Sequence, residues 1–189
     1  TEREVVLCER RNGTTPAAYL DSLGLFEHGG GGYHCIWFTD EEIELFRRKG
    51  LTAVTNPGSN TKLASGIANT TAFLKHGVNL AIGTDGPASN NCLDMFREMF
   101  LVTGLGKLHD RDASAVPAEE VLKMAVTGGA KAMGLTDCDC LAEGKKADLI
   151  MIDLNQPNMQ PRFAYPDGRR PTWSWQAAPD FSLLHDCPK

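Results

Sequence analysis

The residue best placed for chemistry is Asp85, which stands in a glycine-rich turn just after an apolar segment. The β-branched and aliphatic residues of Val78–Ile82 predict a strand, and Gly83 and Gly86 allow the chain to turn sharply after it. Asp85 is therefore expected at the carboxyl end of a strand, the side of α/β folds on which active sites are built. The alternative is that Asp85 only caps the helix that follows.

His34 is the second candidate, in a short aromatic and aliphatic segment, Tyr33–Phe38, that is predicted to be a neighbouring strand. A third strand, Leu51–Thr55, leads into a predicted loop at Asn56–Asn60, so three parallel strands would bring these side chains to one face. A histidine and an aspartate there can bind a divalent metal and activate its water. The alternative is that His34 is an ordinary interior histidine whose hydrogen bonds are satisfied.

The surrounding chain alternates helices and strands, which predicts an α/β fold built on parallel strands. Helices are predicted at 2–11, 16–23, 40–49, 70–76, 93–102 and from 117 to a stop at 134, and strands at 33–38, 51–55, 78–82 and 147–153. Thr39 and Glu42 have the spacing of a capping box, and Gly29–Gly32 reads as a flexible connection. The apolar stripe of the helix at 93–102 (residues 93, 96, 100 and 101) is expected to pack on the strands.

Composition narrows the class of protein. The 189 residues are 42% hydrophobic, enough for one domain with a substantial core. A net charge of -5 without a cluster of basic and aromatic residues argues against a nucleic-acid partner, and no apolar run approaches the ~20 residues that span a membrane. We therefore expect a cytoplasmic protein with reduced thiols. The six cysteines stand at 8, 35, 92, 138, 140 and 187, and the Cys138/Cys140 spacing does not suit the common zinc motifs.

Four motifs occur in a fixed order along the chain. They are Tyr33-His34-Cys35-Ile36-Trp37, Asn56–Gly66, Gly83–Gly86 with Ala88–Asn91, and Glu143–Ile150. In this order they resemble the metal-dependent amidohydrolases, in particular methylthioadenosine/S-adenosylhomocysteine deaminases and related chlorohydrolases. The resemblance covers roughly residues 1–160. It implies the C-terminal portion of a (β/α)8 barrel at 1–140, a strand at 141–160 leading into a small β-sandwich domain, and an irregular tail at 161–189.

The resemblance also implies a chemistry. Members of that branch use zinc or another divalent metal to direct water at a carbon–nitrogen bond of an aminopurine nucleoside or a related heteroaromatic, and the deaminase and dechlorinase branches both stay open. By position, Asp85 would be a metal ligand that accepts the proton of the attacking water, and His34 would hydrogen-bond that water or the tetrahedral intermediate. Substrate contacts would come from the remaining motif side chains, Ser59, Asn60 and Ser89.

The chain also departs from the family pattern. The His-x-His metal pair, and a further His ligand with a nearby Glu, belong to a part of the family sequence upstream of the segment that Thr1–Glu4 resembles. Position 55 is Thr where the deaminases usually have His, Gly58 replaces an apolar residue, and Arg162–Lys189 resembles nothing in the family. A truncated or frame-shifted gene product would explain both ends. We therefore expect little deaminase activity, and little or no bound zinc, from the 189 residues alone.

A second interpretation is a non-catalytic domain that works only in association with a missing N-terminal half. Three βα units leave parallel strands without neighbours at both edges, which favours such a partner or a homo-oligomer. Metal content separates the two interpretations, because an enzyme should hold about one metal ion per chain and a fragment close to none.

Overall fold

The structure, a computed structural model that describes residues 1–152, contains a parallel sheet of three strands. Its strands are β1 (Gly31–Tyr33), β2 (Thr52–Thr55) and β3 (Asn79–Ile82), in the order β1-β2-β3. Both pairings are parallel, with Gly31 opposite Thr52 and Thr52 opposite Asn79. The predicted α/β class is confirmed, and the predictions for residues 153–189 lie outside the described residues.

Helices connect and cover the strands. They are α1 (Glu2–Asn12), α2 (Pro16–Ser22), α3 (Asp40–Lys49), α4 (Pro57–Lys62), α5 (Thr70–His76), α6 (Pro87–Asn90), α7 (Met95–Asp110), α8 (Ala118–Lys123), a π-helix (Met124–Gly128) and α9 (Gly129–Ala132). None of these helices, within residues 1–152, combines the length and the apolar character needed to cross a membrane.

The helix α3 forms as its sequence predicts. The Thr39 side chain accepts a hydrogen bond from the backbone N–H of Glu42 at 3.3 Å, and the Glu42 carboxylate accepts from the backbone N–H of Thr39 at 3.1 Å. This reciprocal pair is the predicted capping box. At the other end Gly50 has φ 63°, a left-handed conformation that glycine adopts without strain.

An aromatic cluster forms the core between α3 and the sheet. The ring of Phe46, 1% exposed, meets Phe26 at 5.8 Å and Phe38 at 4.9 Å in edge-to-face geometry. Phe38 also lies 5.5 Å from Phe73 of α5. Edge-to-face ring pairs stabilise a core beyond the area that they bury. The cluster therefore fixes α3 and α5 against the strands that carry the candidate site.

The first strand differs from the prediction. A strand was expected at 33–38 after a flexible glycine run, but β1 is formed by Gly31–Tyr33, and the chain then turns at His34 with φ 67°. A Cβ atom on Gly31 would lie 2.1 Å from the carbonyl oxygen of Thr52, so glycine is required where β1 approaches β2. His34 therefore follows the strand and does not lie within it.

The segment after β2 is a helix where a loop was predicted. Asn56 stands at the N-cap position, and Pro57 occupies the first helical position of α4, where its missing N–H costs no hydrogen bond. The first four residues of α4, Pro57–Asn60, are all buried. Helical backbone satisfies its own hydrogen bonds, which a buried irregular loop could not do.

The predicted packing face of α7 is wrong. The helix runs from Met95 to Asp110, longer than the expected 93–102, after Asp94 whose carboxylate caps it. Three of the apolar residues expected to pack inward are largely exposed: Leu93 at 60%, Phe96 at 47% and Phe100 at 55%. The buried residues of α7 are Glu98, Met99, Val102, Thr103 and Gly106. Met99, Val102, Thr103 and Gly106 have the i, i+3, i+4, i+7 spacing of one helix face, so α7 buries a different face from the predicted one.

Two compact units make up the described chain, and the first of them is Thr1–Gly134. It includes the predicted helix from 117 to 134, which the structure divides into α8, the π-helix and α9. In the second unit, which starts at Leu135, the described residues 147–152 form no strand where 147–153 was expected. Lys146 there pairs with Asp137 at 2.6 Å, close to the chain segment that was expected to pair as a strand.

Candidate active site

The carboxyl ends of the three strands carry the candidate residues. His34 directly follows β1, Asn56 directly follows β2, and Asp85 comes three residues after β3. Because neighbouring parallel strands end at the same edge of a sheet, these side chains lie together. The closeness of His34 and Asp85 predicted from the sequence is confirmed, with His34 Nε2 3.9 Å from Asp85 Oδ2.

Two serine hydroxyls converge on one oxygen of Asp85. Ser59 of α4 and Ser89 of α6 each donate a hydrogen bond to Asp85 Oδ2 at 2.7 Å. These bonds, with a further one from the backbone of Gly86, lower the pKa of Asp85 to about 2. The capping alternative is not supported, because the N-cap of α6 is Gly86. Asp85 is thus an ionised carboxylate at neutral pH.

Asn60 orients the imidazole of His34. Its side-chain oxygen Oδ1 lies 2.7 Å from His34 Nδ1, so Nδ1 carries the hydrogen and Nε2 faces Asp85. The distance from Nε2 to Asp85 is too long for a direct hydrogen bond but suits one water molecule or one ion between the two groups. The His34 side chain is 40% exposed, which excludes the alternative of an ordinary interior histidine.

His34 and Asp85 open on a common cavity of 420 Å³. Apolar side chains form much of its wall, among them Ile36, Trp37 and Leu63. The indole N–H of Trp37 donates to the carbonyl oxygen of Ser65 at 3.0 Å, which fixes the ring on the wall. A small polar group set in a mostly apolar cavity of this size is typical of small-molecule sites.

The backbone of the site is strained. His34, Cys35 and Asp85 have φ values of 67°, 46° and 60°, in the left-handed region that non-glycine residues rarely adopt. Each such residue costs on the order of 1 kcal/mol or more, and strain of this kind clusters at active sites. Cys35 is not suited to act as a nucleophile or a metal ligand, because burial raises the pKa of its thiol to about 12 and so disfavours the thiolate.

The described residues do not complete a metal centre. Within residues 1–152, no group of three or more His, Cys, Asp or Glu side chains could hold a metal ion together. Catalytic zinc uses three protein ligands and keeps one position open. Asp85 fits as one of these ligands because it is ionised and open to the cavity, so the others would have to come from residues outside the described range.

Asn56 and Asn90 lie in motifs that the sequence analysis identified, but their roles, and Glu98 altogether, were not predicted from the sequence. Asn56, 2% exposed, accepts a hydrogen bond from the backbone N–H of His34 at 3.3 Å, and Asn90 and Glu98 form a buried pair behind Asp85. The one sequence signal for Glu98 is an acidic residue beside an apolar stripe. Ser59, Asn60 and Ser89 were expected to contact substrate, and in the structure they contact Asp85 and His34. Their contact with substrate stays a prediction.

Comparison with known proteins gives consistent relatives. A family described as the Amidohydrolase family matches residues 4–181. The expectation that the resemblance ends near residue 160, and that Arg162–Lys189 resembles nothing in the family, is therefore wrong as far as residue 181. A 5-methylthioadenosine/S-adenosylhomocysteine deaminase of Caldanaerobacter subterraneus subsp. tengcongensis is 45% identical over 163 residues, which are 86% of this chain and 38% of that protein. A 5′-deoxyadenosine deaminase of Methanosarcina mazei is 43% identical over 166 residues, 88% of this chain and 38% of that protein. The chain therefore spans less than two fifths of the length of these relatives.

Solved structures show the same fold. An adenosine deaminase from Xanthomonas campestris with bound zinc aligns with a TM-score of 0.77 at 41% identity, covering 85% of this chain and 37% of that chain. An atrazine chlorohydrolase from Arthrobacter aurescens, also complexed with zinc, aligns with a TM-score of 0.70 at 25% identity, covering 76% of this chain and 32% of that chain. Zinc is thus present in structures of the proteins that this fold resembles.

Proposed function

Because this chain belongs to the amidohydrolase family, we propose that Asp85 and His34 are part of a metal-dependent site that cleaves a carbon–nitrogen bond of an aminopurine nucleoside. The observation that carries the proposal is the pairing of an ionised Asp85 with an oriented His34 on one cavity. The names of the relatives, which are deaminases of 5-methylthioadenosine, S-adenosylhomocysteine and 5′-deoxyadenosine, support an adenine nucleoside as the substrate class.

The roles follow from the geometry. Asp85 is ionised and can accept a proton from a water that lies between it and His34. His34, with its hydrogen on Nδ1, has an unprotonated Nε2 that can accept a hydrogen bond from that water, or from the hydroxyl group that forms when water adds to the ring. With a pKa of about 2, Asp85 is a weak base and cannot take a proton from ordinary water. A bound divalent ion would lower the pKa of the water enough for this transfer.

A chimera tests the proposal. In the Caldanaerobacter deaminase, the segment that this chain matches would be replaced by the chain itself, and ammonia release from 5′-methylthioadenosine would be measured. We expect activity, and a loss of about 10²-fold or more in kcat/KM with Asp85→Asn, because the variant removes the proton acceptor. Asp112→Asn is the matched control, since Asp112 also accepts a serine hydroxyl, from Ser114 at 2.7 Å, but does not line the cavity. Full activity of Asp85→Asn would refute the proposal.

A second candidate is a non-catalytic chain that acts only by association with further polypeptide. The lack of a three-ligand group in the described residues favours it. The exposed apolar side chains of Leu93 and Phe96 also suit a partner, either a second copy or the remainder of the barrel. A compact monomer in sedimentation velocity would count against association.

The proposal extends to the architecture around the site. It places residues 1–140 in the C-terminal part of a (β/α)8 barrel and residues 141–160 at the start of a β-sandwich domain, and it gives 161–189 no role. The match of the family through residue 181 supports continuing the relationship beyond the barrel.

A further inference from the structure

Glu98 of α7 is a completely buried carboxylate with hydrogen bonds on both oxygens. It is 0% exposed, and Oε2 accepts the backbone N–H of Gly58 at 2.8 Å. Oε1 accepts from the side-chain amide of Asn90 at 2.8 Å. One side chain therefore joins the first turn of α4 to the last residue of α6, the two helices that present Ser59 and Ser89 to Asp85.

Further hydrogen bonds fix the Asn90 amide in that orientation. Its nitrogen also donates to the carbonyl oxygen of Thr84 at 2.6 Å, one residue before Asp85. Its oxygen accepts from the Arg97 guanidinium at 3.2 Å. The amide nitrogen of Asn90 therefore donates to both Glu98 and Thr84, and the amide oxygen accepts from Arg97. Through Asn90, Glu98 is thus linked to the backbone carbonyl that precedes Asp85.

The packing around Gly58 is tight enough to make this connection specific. A Cβ atom at position 58 would lie 2.4 Å from Glu98 Oε1 and 2.8 Å from Asn90 Nδ2. Only glycine allows the carboxylate and the amide to come this close to the backbone of α4.

We propose that Glu98 is a positioning residue that sets the spacing between α4 and α6. Ser59 directly follows Gly58, and Ser89 directly precedes Asn90, so the two residues that Glu98 binds are the neighbours of the two that bind Asp85. A shift of ~1 Å between the helices would break the pair of serine bonds. The role in catalysis rests on the proposed function, whereas the role in positioning does not.

Hydrogen exchange in the full 189-residue chain tests the positioning role. Glu98→Gln keeps the shape but turns one acceptor into a donor that faces another donor, either the Gly58 N–H or the Asn90 amide. We expect exchange to become about 10-fold faster or more at the amides of Leu63, which follows α4 and donates to the Ser59 carbonyl, and of Asn90 in α6, and to stay unchanged at Ile43 in α3. Glu119→Gln, a similar change on the exposed side of α8, is the control and should change none of these rates.

A second variant distinguishes a local loss of the Glu98 contact from general unfolding of the chain. Gly58→Ala keeps the carboxylate but pushes it away from α4, and it should produce the same local pattern as Glu98→Gln. Equal acceleration at all three amides, or at none, would overturn the proposal.

Activity then separates this inference from the proposed function. In the active chimera, Glu98→Gln should lower kcat more than it raises KM, because the variant misplaces Asp85 and its serines without removing the apolar cavity wall. A chimera that is inactive without any variant would refute the function, while the local exchange pattern would still support the positioning role.

Discussion

The charge of Asp85 depends on the serines that bind it. Ser59 Oγ and Ser89 Oγ both contact the same carboxylate oxygen, but Ser89 Oγ also lies 3.0 Å from the carbonyl oxygen of Gly86. Since one hydroxyl has one proton, Ser59 is the more committed donor, in agreement with its leading contribution to the lowered pKa of Asp85. The pKa of Asp85 in the folded chain, about 2, lies below its ordinary value, so the ionised carboxylate and its hydrogen bonds stabilise the folded state. This stabilisation is present above pH ~4 and is lost as the pH falls towards 2.

Replacing Ser59 tests this dependence. In the metal-free chain, Ser59→Ala should raise the pKa of Asp85 from about 2 towards its ordinary value, because the ionised carboxylate loses its main donor. A ¹³C NMR titration of the carboxyl carbon measures the change. Ser114→Ala is the matched control, since Ser114 lowers the pKa of Asp112 and should leave Asp85 unaffected. An unchanged Asp85 titration in Ser59→Ala would show that its charge is set elsewhere.

Among the elements, those with complete local signals could be predicted from the sequence. The helix α3 has a capping box at Thr39, acidic residues in its first turn and Gly50 after its last residue, and its bounds agree with the prediction. By contrast, the burial of α4 involves the contact between Glu98 and Gly58, which are 40 residues apart. Sequence periodicity carries no information on such a contact, so a loop was predicted at α4. The buried face of α7 does have helical spacing, at Met99, Val102, Thr103 and Gly106, but Phe96 and Phe100 made a neighbouring face look more apolar.

The capping box offers a test at the level of one helix. Thr39→Ala should reduce the free energy of unfolding by about 1 kcal/mol, because the N–H of Glu42 loses its side-chain acceptor at the start of α3. Urea denaturation measures the loss. Thr39→Ser keeps the hydroxyl and should restore most of it. Equal losses for the two variants would mean that the methyl group of Thr39, and not the cap, stabilises α3.

At the scale of the whole molecule, the order of the motifs was more informative than any single element. Four motifs in sequence identified the family, and the parallel order β1-β2-β3 agrees with it. The strand expected at 147–153 shows the limit of such reasoning. A strand needs a neighbouring strand to complete its backbone hydrogen bonds. The described residues 147–152 are not part of any strand, although their sequence predicts one.

Metal content tests the molecule as a unit. The purified 189-residue chain should hold well under one zinc ion per chain and release no ammonia from 5′-methylthioadenosine, because residues 1–152 supply Asp85 without two further ligands beside it. Elemental analysis by mass spectrometry after dialysis against zinc gives the stoichiometry. The active chimera serves as the positive control. About one zinc per isolated chain, together with ammonia release, would mean that residues beyond 152 complete the centre.

The contact between the π-helix and β3 limits what evolution or a designer can change. The backbone of Gly128 comes so close to the sheet that a Cβ atom would lie 2.0 Å from the carbonyl oxygen of Leu80, while the side chain of Asn79 donates to the Gly128 carbonyl at 3.1 Å. Position 128 therefore tolerates no methyl group, and a saturation library there should return glycine alone. Substitution at this position is therefore not tolerated during evolution, since any larger residue would separate the π-helix from β3, the strand that leads to Asp85.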